Sequence, residues 1–252
     1  ATIDRIAYPS YESLVALAAA GAVTERIGLL TNILLAPTRN PVLLAKEAAS
    51  VDQLSGGRLT LGLAVGSRRD DFVASDRRFE DRGHRFEQDL ELLHGAWRGE
   101  LVGGCPKPPT PRPVAGLVPI LMGGTADAVI DRVVRWGGGW TAGGSGPDQV
   151  APFAERVRAA WKDAGREGGP RIVALSYFSL GEDIVDDSKA YLFDYYAYLG
   201  EWAQGIADGT PRTPEDVRTT AGRFEEAGVD ELIFDPTVAD LDQVDRLADV
   251  VR

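Results

Sequence analysis

Two periodicities alternate along the chain. Short aliphatic runs, each followed by a turn rich in Gly or Asn, lead into segments whose apolar positions recur at i, i+3 or i+4, and i+7, the pattern of repeated βα units. Strands are expected over 27–35, 58–65, 118–122, 140–142, 172–180 and 231–234. Runs apolar on both faces suit a parallel sheet covered on both sides. Ser10 is placed to cap a helix carrying Leu14, Leu17 and Ala18. Asn40 followed by Pro41 reads as an N-cap with proline at N1, opening a helix with Leu44, Ala48 and Val51 on one face, and Ser55-Gly56-Gly57 ends it. A polar helix over 82–97 leads to a stretch from Gly103 to Pro113 whose prolines exclude regular helix or central strand, hence a surface excursion. Further helices carry Val129, Val133 and Trp136; then Val150, Phe153, Val157 and Trp161; then the aromatic series Tyr191, Phe193, Tyr195, Tyr196, Tyr198 and Trp202. Thr213-Pro214-Glu215-Asp216 opens another, and Leu241, Val244, Leu247 and Val251 mark the last.

Six strands, each followed by a helix, leave two α/β architectures open. A doubly wound sheet lacks support, because no Gly-x-Gly-x-x-Gly follows the first strand and no Walker loop occurs. A (β/α)8 TIM barrel lacking its first strand, helix and second strand fits better. Barrels spend roughly 31 residues per unit, so the missing elements amount to about 45 residues. The whole of 1–252 is read as one such domain, incomplete at its N-terminal side.

Composition narrows the function classes. With 44% of 252 residues apolar, the chain can bury a core without disulfides or metal. Its 27 basic against 38 acidic residues give a net charge of −11, which argues against nucleic acid and acidic membranes as partners. No apolar stretch nears the roughly 18 residues of a membrane span, and no signal-like segment opens the chain, so a soluble cytoplasmic protein is expected. Cys105 is the only cysteine, and the two histidines, His84 and His94, fall on a charged helix where a solvated face is expected. Zinc sets, Cys–His pairs and Ser–His–Asp triads therefore lack members, and no catalytic residue is assigned.

Two places suggest ligand chemistry. In Met122-Gly123-Gly124-Thr125 a strand gives way to a helix, so the amides of Gly123, Gly124 and Thr125 can converge on a phosphate; an ordinary turn capped by Thr125 is the alternative. Small residues at Gly62, Ala64 and Gly66 would let a flat ring lie against the backbone, though close packing inside a barrel produces the same pattern.

Several blocks in order then carry a family resemblance: Ala19-Ala20-Gly21-Ala22-Val23-Thr24-Glu25-Arg26-Ile27-Gly28-Leu29, Arg39-Asn40-Pro41 through Glu47, and Asp52-Gln53-Leu54-Ser55-Gly56-Gly57-Arg58 through Gly62. They continue in Gly66, Asp71-Phe72, Arg82-Gly83, Trp97, Met122-Gly123-Gly124 and Gly139-Trp140. From about Pro9 to Trp140 the chain resembles the bacterial luciferase-like family of flavin-dependent monooxygenases and deazaflavin-dependent oxidoreductases, with Ser-Gly-Gly-Arg its strongest element.

The resemblance implies a barrel, usually homodimeric, that binds its cofactor at the C-terminal mouth of the strands. In one branch a separate reductase supplies reduced FMN, which with oxygen oxidises a small organic substrate; in the other a deazaflavin coenzyme transfers hydride. A non-catalytic flavin-binding barrel is a further alternative. An unrelated phosphate-binding barrel needs a lysine at a strand end, whereas Lys46, Lys107, Lys162 and Lys189 fall in helices or loops.

Residue by residue, the resemblance implies that Gly123, Gly124 and Thr125 hold the cofactor phosphate. Thr31 and Asn32 lie where relatives carry a bulge with a cis peptide, here Asn32–Ile33, behind the isoalloxazine ring; a plain strand with Asn32 turned to a polar barrel mouth is the alternative. Ala64, Gly66 and Ser67 flank the ring, and Trp140 walls the pocket or fills the core. Ser67 departs from a bulky aromatic or a carboxylate in relatives, and Gly138 from a usual Asp. Asp71 matches a frequent Glu, for which Arg82 or Arg58 is the expected salt-bridge partner. The aromatic series reads as substrate channel, core or dimer contact.

Overall fold

The computed structural model describes residues 1–6 and 8–251; Ala7, Arg252 and the side chain of Trp202 lie outside the described set. Helices and strands alternate as the periodicity implies: α1 (Ser13–Val23), β1 (Leu29–Leu35), α2 (Pro41–Ser55), β2 (Leu59–Ala64), α3 (Arg69–Ala74), α4 (Arg82–Arg98), β3 (Ile120–Gly123), α5 (Asp127–Trp136), β4 (Gly139–Thr141) and α6 (Pro147–Asp163). They continue as β5 (Arg171–Phe178), α7 (Val185–Tyr195), α8 (Trp202–Asp208), α9 (Pro214–Glu226), β6 (Glu231–Pro236) and α10 (Asp242–Val251). Among the described residues, no helix is long and apolar enough to cross a membrane.

Two compact units result, one of residues 1–141 with 156–171, the other of residues 142–155 with 172–252. In the first, β1 to β4 pair in sequence order and in parallel. Leu34, Leu61, Leu63 and Trp140 are fully buried, as expected of strands covered on both faces. Asn40 caps α2 by accepting from the amides of Val42 and Leu43, and Gly56 closes it in the left-handed region at φ 70°. Helix α1 is capped by Glu12, whose carboxylate accepts from Val15, so the expected cap at Ser10 is displaced two residues toward the chain's interior.

Arg58 explains the Ser-Gly-Gly-Arg block. Its guanidinium makes five hydrogen bonds, to the carbonyls of Ser55, Ile27, Gly21 and Thr24 and to Thr24 Oγ1, and these tie the α1–β1 connection to the end of α2. The proline-rich excursion is held down too. Lys46 and Gln53 of α2 donate to the carbonyls of Thr110 and Arg112, and Asp52 accepts from Val114 N.

In the second unit β5 and β6 pair in parallel from Val173↔Glu231 to Phe178↔Pro236. Leu175 and Tyr177 turn to one face, where they pack with Leu192, Ala207, Tyr191, Tyr196 and Ile233. Phe178 and Leu180 pack instead with Val217, Phe234 and Leu247. Of the aromatic series, Tyr191 and Tyr196 pack half-buried against this core, Tyr195 is half-buried, Phe193 and Tyr198 are exposed, and the side chain of Trp202 lies outside the described residues. The expected cap at Thr213 is present, and with Asp216 it forms a reciprocal capping box that brackets Pro214.

Candidate functional site

Strand β1 changes register against β2 within the first unit. Thr31 faces Leu61 and Leu34 faces Leu63, so Asn32 and Ile33 stand opposite the single residue Gly62, and the peptide bond between Asn32 and Ile33 is cis. Thr31 fills the interrupted ladder with its hydroxyl, which donates to Gly62 O and accepts from Gly62 N, each at 3.0 Å. A Cβ at residue 62 would lie 2.1 Å from Thr31 O, so only glycine fits. Thr31 has no exposed surface, and its hydroxyl is spent on the bulge.

Asn32 is buried with one end of its amide engaged. Its Oδ1 accepts from Thr141 Oγ1 at 2.8 Å, while Nδ2 has no partner among the described residues. A buried donor left unpaired costs roughly 1–3 kcal/mol, which makes this N–H one of several buried polar atoms of the first unit open to a ligand. Thr141 stands opposite Gly123 in the β3–β4 register, so the Asn32 amide is fixed from the strand beside the glycine turn.

The two glycines of that turn have different tasks. A Cβ on Gly123 would come within 1.9 Å of Ile33 Cδ1, so this glycine leaves room for a neighbouring side chain. Gly124, at φ 106°, supplies the turn. Helix α5 then starts with Ala126 at its N-cap and no side-chain cap, so Thr125 does not cap it. Gly124, Thr125 and Ala126 are exposed. These three residues precede the first turn of α5, whose Val129 N–H already bonds Ala126 O at 2.9 Å; with no side-chain cap, the head of the helix presents N–H groups at the positive end of its dipole. Asp127 in that turn is paired with Arg156 at 2.6 Å.

Trp140 supports the turn from beneath, its Nε1–H donating to Gly124 O at 2.8 Å. It has no exposed surface. Ala64 is buried, Gly66 is half-buried at φ 79°, and Ser67 is exposed. Arg82 donates to Gly66 O at 3.0 Å and Phe79 O at 2.9 Å, with its guanidinium 3.7 Å from the Phe79 ring centre. Neither it nor Arg58 is the partner of Asp71. That carboxylate accepts from Ile6 N at 3.1 Å and lies 3.6 Å from Arg5 Nε, and burial raises its pKa against these two influences. Thr2 makes a parallel bridge to Thr31, which lays the segment bearing Arg5 alongside β1.

The histidines divide. His84 is exposed and bonded to Gln88, whereas His94 is buried against Leu90 O at 2.9 Å, with its pKa lowered by that burial, so the solvated face does not extend to it. In the second unit Tyr177 and Tyr196 share a hydrogen bond at 2.9 Å, and burial holds the Tyr177 phenol far above its ordinary range. Asp235 stands opposite Tyr177 in register, its carboxyl pushed up to about 6 by desolvation. The pattern of the sequence flags neither Asp235 nor Thr141; both become visible only once strand register is known.

Residues 2–251 match the family described as luciferase-like monooxygenase. An uncharacterised protein of Mycobacterium tuberculosis is 34% identical over 175 residues, covering 67% of this chain and 60% of its own. An FMNH2-dependent dimethylsulfone monooxygenase of Pseudomonas fluorescens is 26% identical over 181 residues, covering 68% of this chain and 48% of its own. Among solved structures, the coenzyme F420-dependent tetrahydromethanopterin reductase of Methanopyrus kandleri superposes with a TM-score of 0.72 at 17% identity, covering 94% of this chain and 85% of that one. The chain thus spans about half to three fifths of the length of these curated relatives.

Proposed function

The chain belongs to the luciferase-like monooxygenase family and has its α/β barrel-type fold, and on that premise we propose that it is a flavin-dependent monooxygenase using reduced FMN and molecular oxygen on a small organic substrate. The observation that carries this reading is the buried, unpartnered Nδ2 of Asn32, in the same unit as the uncapped head of α5. Asn32 would donate to the edge of the ring, and the amides of Gly124, Thr125 and Ala126 would hold the phosphate. Ala64, Gly66 and Ser67, small or without a side chain, would leave room beside a flat ring. Reduced FMN, when bound, supplies the electrons that activate oxygen. The chain's own residues bind and orient: Thr141 sets the Asn32 amide, Trp140 fixes the turn and Arg82 fixes Gly66. We further propose a cytoplasmic homodimer served by a separate flavin reductase.

A second reading is hydride transfer with a deazaflavin coenzyme, because an amide donor and an anion-binding helix head serve that ring and its phosphate equally well. Anaerobic titration with FMN, FAD, riboflavin and the deazaflavin coenzyme, each oxidised and reduced, separates the two. Tightest binding of reduced FMN, with riboflavin weaker for want of a phosphate, is expected. Preference for the deazaflavin selects hydride transfer, tight oxidised flavin without turnover selects a non-catalytic barrel, and no binding by any of them overturns all three.

A further inference from the structure

The second unit contains a cavity of about 480 Å³ that the residues assigned above do not account for. One wall is the loop through Gly144, Ser145 and Gly146 at the head of α6; another is the end of α8 with Gly205 and Gly209; a third is α9 through Thr220 and Phe224. The volume falls within the roughly 300–1,000 Å³ typical of small-molecule sites.

Space, surface and charge together define what fits. Gly205 and Gly146 are exposed, and a Cβ added at either would meet nothing within 4 Å, so no neighbouring side chain opposes a larger residue there. Leu175, Ile206, Pro211 and Phe224 give the lining an apolar body, and at Gly144 a Cβ would lie 3.8 Å from the Tyr177 ring. The two charged residues in the lining satisfy one another, because Arg223 Nη2 lies 3.2 Å and 3.0 Å from the two carboxylate oxygens of Asp148. Ser145, Gln149 and Thr220 add uncharged polar groups. A charged ligand would therefore find no free counter-charge among these lining residues, the pair itself being solvent-exposed.

We propose that this cavity is a binding site for an uncharged aromatic molecule carrying a hydroxyl or carbonyl group. The site requires no cofactor in the first unit, so it stands or falls apart from the flavin reading.

The test is titration of the full chain with 2-naphthol, followed by its fluorescence and by ligand-observed NMR. Saturable binding is expected, weakened about tenfold or more by Gly205→Phe, which fills the cavity from α8. Replacing a helical glycine also removes a backbone entropy cost, so the circular dichroism and Tm of this variant should hold. Thr220→Phe fills the cavity from the α9 wall and gives the same reading should the first variant fail to fold. Naphthalene-2-sulfonate, the same ring with a fixed charge, should bind about tenfold more weakly. Absence of saturable 2-naphthol binding, affinity unchanged in both filled variants, or sulfonate binding as tight as naphthol would each overturn the proposal.

Discussion

Thr141 Oγ1 donates to Asn32 Oδ1 at 2.8 Å, and this bond between residues 109 positions apart leaves the Asn32 Nδ2 hydrogens as the ones offered to a ligand. Thr141→Val keeps the shape of β4 and removes the donor. We expect it to weaken reduced FMN about fivefold by releasing the amide, and Asn32→Ala to weaken it further, both read by anaerobic titration. Unchanged affinity in both variants would remove Asn32 from the site.

At the head of α5 an acidic cap should compete with a phosphate. Ala126→Asp supplies the missing side-chain acceptor and is expected to stabilise the ligand-free protein by about 0.5–2 kcal/mol in urea unfolding. The same carboxylate should weaken FMN about tenfold and leave riboflavin untouched. Equal losses for both ligands would place the phosphate elsewhere.

Gly123 and Ile33 give a packing test free of any cofactor. Gly123→Ala drives a methyl into Ile33 Cδ1 and is expected to cost about 1–3 kcal/mol of stability. Adding Ile33→Val removes the opposing carbon, so the double variant should recover much of that loss in denaturant melts, giving a coupling energy that signals contact. Additive effects would mean that the two side chains do not share this space.

Asp89 sets a pH dependence of stability. The residue is buried in α4, its Oδ2 lacks a partner, and desolvation raises its carboxyl to about 6 despite Arg85 and Arg77. An unfolded aspartate titrates near 3.9, so between about pH 4 and 6 the folded chain holds a proton that the unfolded chain has released. This residue's contribution to stability therefore falls as pH rises across that window and stays low above it. Asp89→Asn should raise stability at pH 7.5 by about 1–2 kcal/mol and give no gain at pH 4. A gain of the same size at both pH values would show that charge burial is not its cause.

What could be read from the sequence was what is encoded locally. The Asn40-Pro41 and Thr213-Pro214 helix starts, the six strands and the glycine stop of α2 each depend on residues within a few positions of one another. The family resemblance placed the cis bond at Asn32–Ile33, which no local propensity announces. Relations across the chain were out of reach: Arg5 lies 66 positions from its partner Asp71, and Ile33 lies 90 from Gly123. The cap of α1 failed for a different reason, since a long glutamate arm at Glu12 performs the task usually given to a short serine. His94 was misread because a helix rich in charge still turns one face inward.

Arg58 directs all five of its N–H groups to acceptors in its own scaffold. None is left over for a ligand, although this residue completes the most recognisable block of the sequence. Likeness scored on that block therefore reports shared carpentry and is silent about substrate. Two chains can agree perfectly there and still differ in what they bind, and Gly138, tied to Ile120 and Arg171 where the strands begin, lies at the end of the sheet opposite Thr141 and Gly123.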